Sequence, residues 1–474
     1  MRWLITEHVF DSDKRIMLVT GLLFLMLPLE THAAGGVIPD RGARAMARGG
    51  AFAAGPPDLQ QAYYNPAGLA GLAGTHLCMD NGFIWNQVDF KRAADLIHPG
   101  GYPTARNLAP VQWIPSLFLG SSFGLDGFFL SFSAYGSYAG DYGYDSTGPQ
   151  RYSLIWLDLW EAVYQLSAAY RPLSWLQVGL GLQFVDIRFR QSQKLTTYTG
   201  IENTGPREYL YNDITVQVDA REWKNVDVLL GVKVMPLPWL QLGAALRPPM
   251  TVNAPTRFKV QLPRYKEGND AYLFGDAKVE DNGSKSHMIL HTPLVFRTGA
   301  RLTLDPAWDL ELDFAFEKWD SQKDVSVKVQ GITVTGVKVI DEFDVQDVTV
   351  PKHWKNAWSL RLGGTYDVLG KWLSLSAGAY YESSAVPDET ASVAVYDNDK
   401  YGLALGATLS SPWLPLFLDI GYLHVFFPDR KITGSRLKQI NPIRPNDPDL
   451  ADVIGNGTYK ASVDIFAFTV RYSF

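Results

Sequence analysis

The chain has 474 residues, with 43 Lys and Arg against 49 Asp and Glu for a formal net charge of −6, and one cysteine, Cys78. That length holds two or three soluble domains or one large β-architecture; the lack of a basic excess argues against nucleic acid as a partner, and a lone cysteine excludes an intramolecular disulfide. Hydrophobic residues make up 46% of the chain and aromatics 13%, so there is ample apolar surface to be placed.

At the N-terminus Lys14 and Arg15 precede the apolar run IMLVTGLLFLMLPL, residues 16–29, and the small-residue stretch ETHAAGG. A basic region, an apolar core and a small-residue cleavage site read as a signal peptide over residues 1–33, cut after Ala33. The run is shorter than the roughly 20 residues of a spanning helix. Beyond residue 33 no charge-free apolar stretch reaches that length either, so the apolar surface must lie on strands. Next come GARAMARGGAFAAG, residues 42–55, and AYYNPAGL, residues 62–69: a compact, small-residue segment with Arg41, Arg44 and Arg48 for charge and an Asn-Pro break.

From residue 75 onward one pattern recurs: an apolar strand, a very short turn with Pro or Gly, then Trp opening another strand, as in SAAYRPLSWLQVGLGLQF, GVKVMPLPWLQLGAALR and ARLTLDPAWDLELDFAF. Counting outward predicts 14 strands, at about 75–90, 111–122, 126–139, 162–171, 175–190, 223–236, 239–252, 291–304, 308–320, 355–367, 372–384, 401–411, 415–427 and 459–474. Six tight turns alternate with seven long polar loops, the asymmetry of an outer-membrane barrel with short periplasmic turns and long extracellular loops. Trp175, Trp239, Trp308, Trp372 and Trp413 then share one rim, where an amphipathic ring suits the headgroup boundary. Within strands the period is two: Trp308, Leu310, Leu312, Phe314 and Phe316 face one way, and Asp309, Glu311, Asp313, Ala315 and Glu317 the other. The last strand likewise sets Phe466, Phe468, Val470, Tyr472 and Phe474 against Ala467, Thr469, Arg471 and Ser473. A soluble sandwich alternates too, but it explains neither the Trp register nor charges on the non-apolar faces, which suit a polar lumen.

On GARAMARGGAFAAGPPDLQQAYYNPAGLAGL, KNAWSLRLGGTYDV, YYESSAVPDETASVAVYDNDKYGLALGATL and LFLDIGYLHVFF, the chain resembles the long-chain fatty-acid transporter family of outer-membrane proteins, the FadL/TodX-like group that includes aromatic-hydrocarbon channels. The resemblance implies an all-β fold, a 14-stranded antiparallel transmembrane barrel over residues 75–474, with residues 34–74 as a hatch inside the lumen. It marks Asn65, Pro66 and Ala67 as the hatch motif. It also implies capture of a hydrophobic molecule by extracellular loops, a pocket near the hatch N-terminus, with Val37, Ile38, Phe129 and Tyr135 as candidates, and lateral exit at a kink in the third strand. There Gly136, Gly140 and Gly143 weaken the ladder and permit a bulge, or else end the strand at its loop. The implied partners are fatty acids or hydrocarbons, outer-membrane lipid and lipopolysaccharide, with a monomer in the bacterial outer membrane. The arginines of the segment could pair with luminal carboxylates such as Asp309 or Glu311. Loops at about 140–161, 191–222 and 253–290 are candidates for capture; YSLIWLDLW, residues 152–160, is apolar for a loop, whereas the resemblance favours the other two.

No enzyme motif and no cofactor site emerges. His287 and His291 in HMILH lack the Glu and third ligand of a metal site. GLGLQF lacks the third glycine of a dinucleotide fold. VYDNDK and NDPDLAD lack EF-hand spacing and read as solvated loop charge. His424 has no nucleophile at matched depth for a barrel lipase. The chain therefore reads as a channel for hydrophobic molecules; the alternatives are a same-fold barrel acting as a protein-secretion shuttle or anchor subunit, and a polar porin, which has no need of a plug.

Overall fold

The computed structural model describes residues 40–200, 207–264, 268, 272–281, 285–321, 323–345, 347–370, 372–444 and 447–474. The expected leader, residues 1–33, and the pocket candidates Val37 and Ile38 lie outside the described residues.

Fourteen strands run in sequence around one closed antiparallel barrel. They are β1 Thr75–Arg92, β2 Gln112–Ser121, β3 Phe128–Gly143, β4 Trp156–Leu173, β5 Leu176–Leu195, β6 Ile214–Leu237 and β7 Leu240–Arg247, continued by Met250–Gln261. Then follow β8 Ser286–Thr292, continued by Leu294–Asp305, β9 Trp308–Lys318, β10 Ala357–Asp367, β11 Leu373–Glu382, β12 Lys400–Ser410, β13 Leu416–Phe426 and β14 Gly457–Ser473. β1 pairs with β14 from His76↔Ser473 to Arg92↔Gly457, and this closure removes the open edge that a flat sheet leaves. The two interruptions fall at Pro248-Pro249 and at Pro293, where the ring removes a ladder donor.

The period of two has the predicted sense. Leu310 and Leu312 are outside and exposed, while Glu311 and Asp313 are buried in the interior; Phe466 and Val470 are outside, Ala467 and Thr469 inside. In water that arrangement would expose a broad apolar belt, but against lipid it is the favourable one. Trp239, Trp308, Trp372 and Trp413 are exposed beside the short turns. The long connections are at the other end.

Several strands are longer than expected. Residues 156–160 of the apolar YSLIWLDLW stretch are not loop: they open β4 and pair with β5 from Trp156↔Ser192 to Trp160↔Arg188. Their alternation is the reason, since Trp156, Asp158 and Trp160 face outward while Leu157 is buried inside. Parts of the expected loops 191–222 and 253–290 are likewise strand, and Lys278–Asp281 joins Ile332–Val337 and Asp341–Asp344 in a separate three-stranded sheet at the long-loop end.

Candidate functional site

The segment from Asp40 to Gly74 packs against inward-facing groups of the barrel wall. It holds little regular structure, a helix Ala43–Ala47, a single turn Gln61–Tyr64 and a 3-10 turn Pro66–Gly71, because small residues and glycines favour close backbone approach over helix length. The wall accepts it at four glycine pairs, each facing inward on adjacent strands: Gly179↔Gly231, Gly243↔Gly299, Gly363↔Gly378 and Gly406↔Gly421. A Cβ on Gly179 would lie 2.3 Å from the Ala67 nitrogen, and one on Gly243 or Gly363 would lie 2.1 Å from the carbonyl oxygens of Ala53 and Arg48. At these three glycines the wall comes up against the backbone of the segment.

Hydrogen bonds and charge fix the register of this contact. The Asn65 amide donates to Ala53 O at 2.8 Å and to Val232 O on β6 at 3.0 Å, and its Oδ1 accepts from Ala67 N at 3.2 Å, so Pro66 starts the next turn already capped. Asp313 accepts from the Phe52 and Ala53 nitrogens at 2.7 and 2.8 Å, and Glu311 from Ala54 N at 2.7 Å. Arg48 is fully buried between Asp309 at 2.6 Å and Glu311 at 3.0 Å. These carboxylates satisfy backbone donors that would otherwise be orphaned in the interior.

The wall itself is interrupted. β3 pairs with β2 only from Leu117↔Ala134 to Ser121↔Leu130, although β2 continues up to Gln112 on its β1 side. On the opposite flank the β3–β4 register shifts between Gly136 and Ala139, a bulge. Gly136 stands on the outward-facing phase of β3, yet a Cβ there would meet Cγ2 of the inward-facing Ile114 of β2 at 2.9 Å. β3 has therefore bent to the luminal side of β2. Arg41 occupies the bend from within, donating from Nε to Gly136 O at 2.5 Å and from Nη2 to Ser137 O at 3.1 Å. Higher up the two edges rejoin, with Leu108 N donating to Gly143 O at 2.7 Å and Gly143 N to Asn107 Oδ1 at 3.0 Å. The result is a bounded break between β2 and β3.

Above the segment, under the long loops, lies a cavity of about 470 Å³. Its wall includes Leu157, Phe189, Phe258, Met288, Val327 and Trp354, and it reaches Gly140, beside the β3 bulge. The floor is ionic. Glu161, at the base of the cavity on β4, accepts from Arg247 at 3.2 Å; Arg247 also meets Asp227 at 2.6 Å. Around a separate cavity of about 20 Å³ against the segment, Arg361 bridges Asp40 at 3.0 Å and Glu382 at 2.8 Å, and Lys400 joins Glu382 at 3.0 Å. A second small cavity, of about 40 Å³, is lined by Tyr63, Tyr135, Gln183, Arg247 and Arg297. Lys352, in the connection before β10, lines the upper wall with its ammonium 6.0 Å from the centroid of the Trp354 ring, and burial holds it down to about 8.

The closed 14-strand wall has counterparts among known proteins. The family model for "Outer membrane protein transport protein (OMPP1/FadL/TodX)" matches residues 26–474. The chain belongs to this family. It is an outer-membrane β-barrel protein of the FadL/TodX type. Among solved structures, a Pseudomonas aeruginosa FadL homologue is similar over 93% of this chain and 100% of its own at 17% identity and a TM-score of 0.73. The toluene transporter TodX of P. putida matches over 94% and 99% at 13% identity and 0.61. The Ralstonia pickettii toluene transporter TbuX matches over 91% and 98% at 14% identity and 0.59. At those identities the likeness concerns the fold. No curated protein sequence matches the chain.

In this FadL/TodX barrel the sequence-derived site residues among the described ones fall in four places. Asn65, Pro66 and Ala67 sit on the Gly179–Gly231 seat. Gly136 forms the lip of the break, and Gly140 and Gly143 lie in β3 beyond the bulge. Tyr135 lines the second small cavity and donates to Gln165 at 2.6 Å. Phe129 lies elsewhere, fully buried where its ring would meet any side chain on Gly120. Sequence reading missed the cavity wall from the 319–356 connection and Lys352, because nothing local marks which loop folds back over the lumen. It also missed the glycine seats, whose signal was there: inward glycines in GLGL, LGAAL, SAGAY and DIGY. Among the described residues no group of three or more His, Cys, Asp or Glu is placed to hold a metal ion.

Proposed function

We propose that this chain is a monomeric channel for hydrophobic molecules, long-chain fatty acids or hydrocarbons, which enter under the long extracellular loops and leave sideways through the break between β2 and β3, with residues 34–74 as a hatch. The observation that carries this reading is the contrast between the apolar cavity and its ionic floor. Going straight down would drag an alkyl chain through the Glu161–Arg247–Asp227 and Asp40–Arg361–Glu382 groups, and parting a buried ion pair costs several kcal/mol. Sideways, the cavity adjoins the bend of β3 at Gly140, and beyond it lies lipid, where every buried CH₂ keeps its roughly 0.8 kcal/mol. That TodX and TbuX are toluene transporters supports a hydrocarbon. Lys352 supports an anionic head, since an ammonium that makes no ion pair among the described residues gains from a carboxylate.

The route is tested by crosslinking the break. With Cys78 replaced by Ser, the pair Ile114→Cys and Gly136→Cys places two thiols across it. Oxidation is expected to abolish uptake of labelled oleate or toluene, and reductant to restore it. Unchanged uptake in the fully crosslinked protein would send the substrate past the hatch to the periplasm.

A further inference from the structure

The outer surface of β4 to β7 changes character abruptly along its height. From the short-turn end upward, the outward positions are all apolar: Tyr170, Leu166 and Tyr164 on β4; Val178, Leu180, Leu182 and Phe184 on β5; Leu230 and Val226 on β6. On β5 the eleven residues from Leu176 to Asp186 rise about 25 Å at barrel tilt, the height of the lipid-facing band. The next outward positions are charged, and aromatics mark the boundary, Trp160 and Trp223 being exposed there.

The first rung above that boundary is Trp160↔Arg188↔Arg221, two arginines directly opposite each other. Like charges opposed across strands are destabilising unless something lies between them. Arg221 has its own partner, Asp186, at 3.1 Å from Nε and 2.6 Å from Nη2. Arg188 makes no ion pair among the described residues. One rung higher the charges are balanced, Asp158↔Arg190 and Asp219↔Arg257, with Asp158 hydrogen-bonded to Arg190. The rung after that adds Lys259 opposite Gln217, exposed. An unpaired planar fork therefore stands at the headgroup level, flanked by a second guanidinium and by an indole.

We propose that Arg188, backed by Arg221, binds a phosphate of the phosphorylated glycolipid that forms the outer leaflet, that is, the lipid A part of lipopolysaccharide. A guanidinium takes phosphate bidentately, the acyl chains of such a lipid lie along the apolar band below, and Trp160 suits the boundary between them. This depends on the barrel's position in the membrane and not on the channel reading.

The test uses the full-length protein extracted from outer membranes in mild detergent, with folding checked by heat-dependent electrophoretic mobility. Lipopolysaccharide retained by the wild type, Arg188→Gln and Arg188→Lys is measured by native mass spectrometry. In a second arm, wild-type protein is titrated with lipopolysaccharide and with the same lipid stripped of its lipid A phosphates, with and without inorganic phosphate. Arg188→Gln is expected to lose about tenfold in retention, about 1.4 kcal/mol, with Arg188→Lys between the two, and the dephosphorylated lipid to bind the wild type as weakly. Equal retention by wild type and Arg188→Gln, or equal binding of both lipids, overturns the proposal. Full competition by inorganic phosphate also does so, because the site then takes a free anion. If Arg188→Gln does not fold, the two-lipid titration of the wild type decides alone.

Discussion

Replacing Gly136 by valine tests the break at its narrowest point. A Cβ at Gly136 already stands 2.9 Å from Ile114 Cγ2 and 3.8 Å from Glu161 O, so two further methyl groups have no free space unless β2 and β3 part. Overpacking of this kind costs about 1–3 kcal/mol, a factor of about five to 150 in a two-state population. The valine fills the opening through which an alkyl chain would pass. Initial uptake of labelled oleate or toluene by cells with matched amounts of folded protein is expected to fall by about tenfold, with permeability to small polar solutes unchanged. The double variant Gly136→Val/Ile114→Ala removes the opposing methyls and should recover most of the loss. Wild-type uptake by a folded Gly136→Val protein would refute the reasoning, since the lip would then not border the path.

Asn65→Ala strips the Ala53 and Val232 carbonyls of a donor and removes the cap on Ala67, a loss of about 1–3 kcal/mol; the barrel should assemble normally while limited proteolysis of residues 40–74 accelerates and uptake falls. Glycine-seat variants such as Gly363→Ala, whose Cβ would meet Arg48 O at 2.1 Å, are expected to expel the segment and raise conductance in planar bilayers; unaltered conductance would show that the wall yields instead. Lys352, held down to about 8 by burial, charges below that pH and is neutral above it, so binding of a fatty-acid anion should weaken as pH rises through 8 while binding of toluene stays flat, and Lys352→Met should remove the pH dependence in tryptophan-quenching titrations. The same shift has a stability sign: between about 8 and the unfolded value of 10.5 the unfolded chain holds the extra proton, so stability rises with pH across that window. For topology, a Cys introduced at Ser174 should resist an impermeant label on intact cells, whereas one at Lys259 should react; the opposite pattern would invert the barrel.

The number of strands, their facing and the Trp rim were legible in the chain because they are local: a period of two and a Pro or Gly turn are written in consecutive residues, as in ARLTLDPAWDLELDFAF. Lipid as the outer solvent followed from the Trp register, the alternation of short turns with long loops and the charges on the non-apolar faces, which a soluble sandwich does not explain. What only the tertiary structure decided depends on residues far apart in the chain. The inward bend of β3 is set by Ile114 on one side and by Arg41 reaching Gly136 and Ser137 from within; a glycine in isolation allows a bend without choosing its direction. The apolar stretch at 152–160 reads as a loop until β5 pairs with it. Lys352 and the cavity wall contributed by residues 319–356 come together only when that connection folds over the lumen, and no periodicity encodes where a long loop lands, because its position is fixed by the partners it meets and not by its own backbone.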